Sequence, residues 1–297
     1  MVAPWLWAVF TVIAAFAQTL RNAMQRELTA TLGTVGATHV RFLFGFPFVL
    51  VFLAGVMLAT GTPLPRPGWT FWPWAILGAG AQVAATALML AAMGDRSFVV
   101  TIAYIKTEPI QVAVFGLVVL GDSVTVPMMT AIIVATAGVV IMSTKRGGLI
   151  GGVGPTLLGL ASGGMFALSA IGYRGGILSL ELSNYVMAAT FTLAVGIAMQ
   201  AVLLSVYLGL RSPEVLYAIL RAWKPSLSAG FAGAVASQFW FLAFALATAA
   251  SVRTLALIEV LFAQLIARFA FGQRTGAREA AGMLLVVCGV GLLLWAY

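Results

Sequence analysis

Apolar runs of about twenty residues recur along almost the whole chain, joined by connections too short for anything but turns. This spacing limits the fold more than any single motif does. A spanning α-helix needs ~20 mostly apolar residues, and the runs fall at 3–23, 34–59, 69–92, 98–120, 125–143, 152–173, 182–208, 225–247, 254–271 and 277–296. In hydrocarbon each backbone polar group must be bonded within the segment, which for continuous apolar runs means helix. The predicted class is an all-α integral membrane protein of ten transmembrane helices. Only 8% of residues are charged, against about 25% in soluble domains, so no stretch remains for a soluble domain. The first run begins almost at Met1 without a basic region before it and reads as a retained helix.

One stretch breaks the apolar pattern at membrane depth. Thr101-Ile-Ala-Tyr104-Ile-Lys106-Thr107-Glu108-Pro109-Ile-Gln111 lies inside the run from Phe98 to Leu120. Thr101, Tyr104, Glu108 and Gln111 follow one another at spacings of three, four and three, which places them on one helix face. A charge at this depth faces a bundle interior or a wet cavity, serving either solute contact or a salt bridge to a neighbouring helix. Pro109 removes a backbone donor and disfavours helical geometry at Glu108, so the helix is predicted to open there.

Other polar positions are more dispersed. Gln18, Arg21, Asn22 and Gln25 give the end of the first run a polar face, and Arg26-Glu27 is predicted to enter a loop. His39, the only histidine, and Arg41 lie early in the second run; a lone histidine cannot build a histidine-rich metal site. Gln82 and Trp240 are candidates for solute contact, and Trp69, Trp72 and Trp74 form a candidate interfacial belt. Gly159 and Gly163 form a GxxxG pattern suited to close helix packing. The single cysteine, Cys288, excludes an internal disulfide, and no cofactor-binding or nucleotide-binding loop is present. The net charge of +8 is carried largely by connections, where cations meet anionic lipid rather than nucleic acid.

After the basic joint Lys145-Arg146-Gly-Gly the chain begins again. A shift of 151 residues brings Pro4 onto Pro155, Trp72 onto Trp223, Glu108 onto Glu259, Gly121 onto Gly272 and Gly138 onto Gly289. The reading is one transmembrane unit built from two five-helix repeats, 1–148 and 149–297. Five crossings per repeat force opposite orientations, an inverted-topology repeat of the kind found in secondary transporters. The second repeat does not copy the polar face: Leu255, Val260 and Phe262 stand at the positions matching Tyr104, Pro109 and Gln111. Glu259 therefore reads as a structural or coupling charge, with Arg41 and Arg268 in the same group and Arg253 and Gln264 as further polarity nearby.

Two five-helix halves, Glu108-Pro109 in the fourth run, Gly121-Asp122 at its end and Gly138 in the fifth together resemble the drug/metabolite transporter superfamily. The similarity is to its ten-helix, EamA-type branch, which includes bacterial exporters of aromatic and other amino acids of the YddG kind. Many members carry proline in both central helices and glutamate after the glycine; here Val260, Asp122 and Gln273 stand at those positions. The resemblance implies a multi-pass protein of the plasma (inner) membrane. It implies a secondary exporter of small metabolites, amino acids and aromatic ones among them, working by alternating access through a central cavity.

On that expectation the substrate-contacting set is Glu108, Tyr104, Thr101, Gln111, Lys106, His39, Gln82 and Trp240, with a small-molecule substrate and membrane lipid as the partners. No cofactor, metal, nucleic acid or obligatory protein partner is implied. The alternatives are a passive channel for small polar solutes and an exporter of another metabolite or drug class. An intramembrane enzyme finds little support, because no paired-aspartate metal site or activated serine is evident. Counting Arg66, Arg174 and Arg253 against Arg21, Arg26, Arg96, Lys145, Arg146, Arg211, Arg221, Lys224, Arg274 and Arg278, the positive-inside rule places both termini outside the cytoplasm.

Overall fold

A computed structural model of the chain describes residues 3–95, 104–143, 153–271 and 276–297. Among the described residues the regular structure is helical, without a strand. Among the described residues, five helices are long and apolar enough to cross a membrane, Thr31–Thr60, Thr156–Ser179, Tyr185–Arg211, Trp223–Leu246 and Ala277–Ala296, and Glu108–Leu120 and Val126–Met142 are shorter apolar helices.

Two compact units share the chain, residues 1–79 with 172–246 and residues 80–171 with 247–297. This spatial partition draws on both sides of the sequence joint near residue 148. The first unit holds α1 (Leu6–Leu43), α2 (Phe46–Thr60), the start of α3 (Phe71–Asp95), the end of α6 (Val153–Ser179), α7 (Tyr185–Arg211), α8 (Pro213–Arg221) and α9 (Trp223–Leu246). The second holds the rest of α3 and α6 with α4 (Glu108–Phe115), α5 (Val126–Ser143), α10 (Ala249–Leu255), α11 (Glu259–Phe271) and α12 (Ala277–Ala296).

In the first unit α1 lies along α9, and α7 packs on α2 and α9. The loop expected at Arg26-Glu27 does not form; α1 stays helical until Gly33, whose φ of 66° and ψ of 175° interrupt it before the helix resumes toward α2. That combination of angles is open essentially to glycine alone, so a glycine is what makes this break possible. The other end of α1 is continuous with α2 through the bonds Phe44 N–H to Val40 O and Val49 N–H to Gly45 O, 2.9 and 3.1 Å.

In the second unit α5 and α12 form the tightest pair. A β-carbon on Gly138 would stand 2.6 Å from the Gly282 carbonyl oxygen, and one on Gly289 would stand 2.6 Å from the Ala135 nitrogen. The absent side chains let the backbones touch, the packing used by membrane helices that cannot rely on a hydrophobic driving force. Arg278 closes the end of α5 by donating Nε–H to the Ile141 carbonyl at 3.1 Å. At the end of α4 the helix widens into a π turn at Gly116–Leu120 and stops at Gly121, in the left-handed region.

Candidate functional site

The polar centre of the second unit is built on two interrupted helices. Tyr104 and Ile105 are helical, Lys106 and Thr107 form a turn, and α4 starts afresh at Glu108. The turn is held by Thr107, whose amide and hydroxyl both donate to the Tyr104 carbonyl, at 3.1 and 2.6 Å. On the other helix α10 ends at Leu255, residues Ala256–Ile258 tighten into a 3₁₀ turn, and α11 starts at Glu259. Both glutamates thus open a helix, where the N-terminal end of the helix dipole favours negative charge. The two interruptions stand in the register that the shift of 151 residues gives, although only the first carries proline.

Four charges meet there. Arg253 on α10 donates Nε–H to the Glu108 carboxylate at 2.6 Å, with a second guanidinium nitrogen on the same oxygen. Lys106 pairs with the Glu259 carboxylate. The side chains keep only 13–22% of their exposure, so the pairs are largely desolvated and each member depends on its partner. Each half of the sequence provides one glutamate and one cation, and each glutamate takes its cation from the other half. The group is neutral as a whole.

Gln111 fastens this centre to α6. Its amide nitrogen donates to the Thr107 hydroxyl at 3.2 Å and to the Leu160 carbonyl at 3.4 Å. Gly163 and Gly164 leave the room it occupies: a β-carbon on either would come within 3.0 or 2.8 Å of the Gln111 amide. The GxxxG glycine expected to serve close helix packing thus also seats a polar side chain. Tyr104 and Gln82 are half-buried in the same unit. Thr101 lies outside the described residues, and so does the side chain of Arg268.

The other predicted site residues belong to the first unit. His39 is fully buried, its Nε2 3.0 Å from the Ser205 hydroxyl of α7. The Arg41 guanidinium lies over the Phe42 ring, 4.4 Å from its centroid. Trp240 donates its indole N–H to the Gln18 side-chain oxygen at 3.1 Å, joining α9 to α1. Gln238 likewise donates to the Thr190 hydroxyl at 2.8 Å. Tyr173, which no sequence pattern marks, organises this interior together with Gln200, a plausible cavity group by its polarity: the tyrosine ring lies tilted at 48° to Phe241 with centroids 4.6 Å apart, and its hydroxyl is bonded to the buried Gln200. Gly78 and Gly196 are the sign of it, since a β-carbon on either would stand 2.7 Å from the tyrosine ring.

The sequence marks Arg253 as polarity near Glu259 and as a connection cation, but not as the partner of Glu108; α10 begins before it, capped by Thr248, whose hydroxyl accepts from the Ser251 amide at 3.2 Å. That cap was legible as a Thr before a run of small helix formers. Among the described residues, no three His, Cys, Asp or Glu side chains gather as a metal site would require.

No family model matches the chain, and no curated protein matches it. A crystal structure described only as "Crystal structure of protein" is similar over 99% of this chain and 98% of its own, with a TM-score of 0.72 at 17% identity. At that identity the likeness establishes a shared fold, and nothing about activity follows from it.

Proposed function

We propose that this chain is a secondary transporter of small zwitterionic metabolites, amino acids including aromatic ones, in the plasma (inner) membrane. It has ten membrane helices in two inverted five-helix repeats and works by alternating access. The observation that carries the reading is the neutral group Lys106, Glu108, Arg253 and Glu259 at the paired helix interruptions. A solute bearing both an ammonium and a carboxylate can take the place of a protein partner on each side, ammonium against glutamate and carboxylate against arginine or lysine. No net charge is then left in an apolar interior, where an unpaired charge costs at least a few kcal/mol. A singly charged solute would leave one protein charge uncompensated. The crossed pairing supports the repeat reading as well, because rearranging one half against the other must open both pairs.

The test is uptake of labelled amino acids into proteoliposomes, with and without a proton gradient, against empty liposomes. Saturable uptake of several neutral amino acids without nucleotide is the expected result. Failure of every amino acid, with uptake of a sugar, nucleotide or cationic drug, overturns the substrate class. Flux that rises without saturation replaces the carrier by a channel.

A further inference from the structure

Between α7 and α9 the chain inserts the short helix α8, too short to cross a bilayer and unlike its neighbours in its two distinct faces. One face is packed. Ile219 is fully buried among Leu28, Leu32, Ala37, Val40 and Leu208, and the Val215 side chain sits 2.9 Å from where a β-carbon on Gly36 would be. These contacts lie on both sides of the α1 interruption at Gly33. The opposite face is open: Glu214, Tyr217, Leu220 and Arg221 line a groove of about 630 Å³ with Ala218. Tyr217 is 71% exposed, and Arg211, Trp223 and Lys224 at the helix ends are exposed too. Lys224 stands over the Trp223 ring at 5.7 Å.

We infer that this outer face of α8 is a docking surface for anionic phospholipid, with the headgroup phosphate drawn to Arg221 and Lys224 at one end of the helix and Arg211 adding positive charge at the other. Charge complementarity selects the occupant: three cations against the single Glu214, set among the aromatic side chains that favour the headgroup level of a bilayer. The exposed Tyr217, Leu220 and Trp223 beside these cations have apolar bodies that suit the acyl boundary. Since the inner face of α8 braces both sides of the Gly33 break, lipid held on the outer face also keeps that brace in place. The inference needs only the membrane location and stands or falls apart from the transport reading.

The experiment uses the full chain in neutral-lipid nanodiscs doped with photoreactive phosphatidylglycerol, with label on residues 207–228 counted by peptide mass spectrometry. Labelling should saturate at low lipid fraction, while photoreactive phosphatidylcholine labels weakly. A Lys or Arg near a membrane surface changes affinity about fivefold, so the triple variant R211Q/R221Q/K224Q should need on the order of 100-fold more lipid. R211K/R221K should stay close to the parent, and Glu214→Gln should tighten binding, which a purely structural role for the helix would not produce. Equal labelling by the two lipids, an unchanged triple variant, or full competition by free glycerol phosphate would each overturn the inference.

Discussion

Replacing Glu259 by Gln leaves the Lys106 ammonium largely desolvated and without its carboxylate. Losing one member of a buried pair costs roughly 3–5 kcal/mol, and partial exposure puts this site toward the lower end. The expected outcome is a markedly lower unfolding temperature in detergent for Glu259→Gln, largely restored when Lys106→Met is added, which a double-mutant cycle on thermal unfolding would measure. The sequence reading assigned the two glutamates different lives: Glu108 free to meet solute, Glu259 tied to a cation. Arg253 gives Glu108 a cation of its own, so Glu108→Gln is expected to lower stability as well as transport. Flux per folded molecule separates the two effects: on the proposed function it falls at least tenfold for Glu108→Gln, whereas a pair that only holds helices together would leave it unchanged. Single-residue chemistry was legible here because charges are rare in such a chain, but pairing was not, since no local spacing links residues 145 or 153 positions apart.

At the scale of elements, apolar run length located most helices, and the proline before Gln111 foretold the opening at Lys106-Thr107. The matching interruption before Glu259 had no such mark: Val260 does not force a break, and the Lys106 contact that holds Glu259 at a helix start is tertiary. The continuity of α1 was also missed, because Arg26-Glu27 reads as an interfacial pair when helix propensity alone would carry the chain onward to Gly33. Gly33→Ala tests what that glycine does. No atom lies within 4 Å of the β-carbon position, so any loss is backbone strain of about 1–3 kcal/mol rather than a clash. The expected result is a lower thermal midpoint. Gly138→Leu should be worse for the opposite reason, since its side chain meets the Gly282 backbone at 2.6 Å and must push α5 away from α12; the reading is loss of monodisperse protein on size exclusion.

For the whole molecule, the orientation argument changes once helices are assigned. Arg174 and Arg253 counted as connection cations, yet Arg174 lies within α6 and donates to the Phe244 carbonyl at 2.8 Å, and Arg253 lies within α10 on Glu108. Neither faces a headgroup as a loop cation does, so neither belongs in a positive-inside tally. Arg21 and Arg26 leave the opposite side as well, since both lie within α1 rather than in a connection. On the proposed ten-span reading this removes two of three cations from the side bearing the termini and two of ten from the other, leaving Arg66 alone against the basic side. On the same reading that side includes Arg211, Arg221 and Lys224 around α8, and the inferred docking face would turn toward the cytoplasmic leaflet, where anionic lipid gives an attractive surface potential. The prediction is that both termini lie outside the cytoplasm. A C-terminal fusion to a reporter that matures only in the cytoplasm should stay dark, and a cysteine placed at exposed Arg221 in a Cys288→Ser background should resist a membrane-impermeant thiol reagent in intact cells. A bright reporter together with rapid labelling at residue 221 would reverse the orientation, and with it the leaflet assigned to α8.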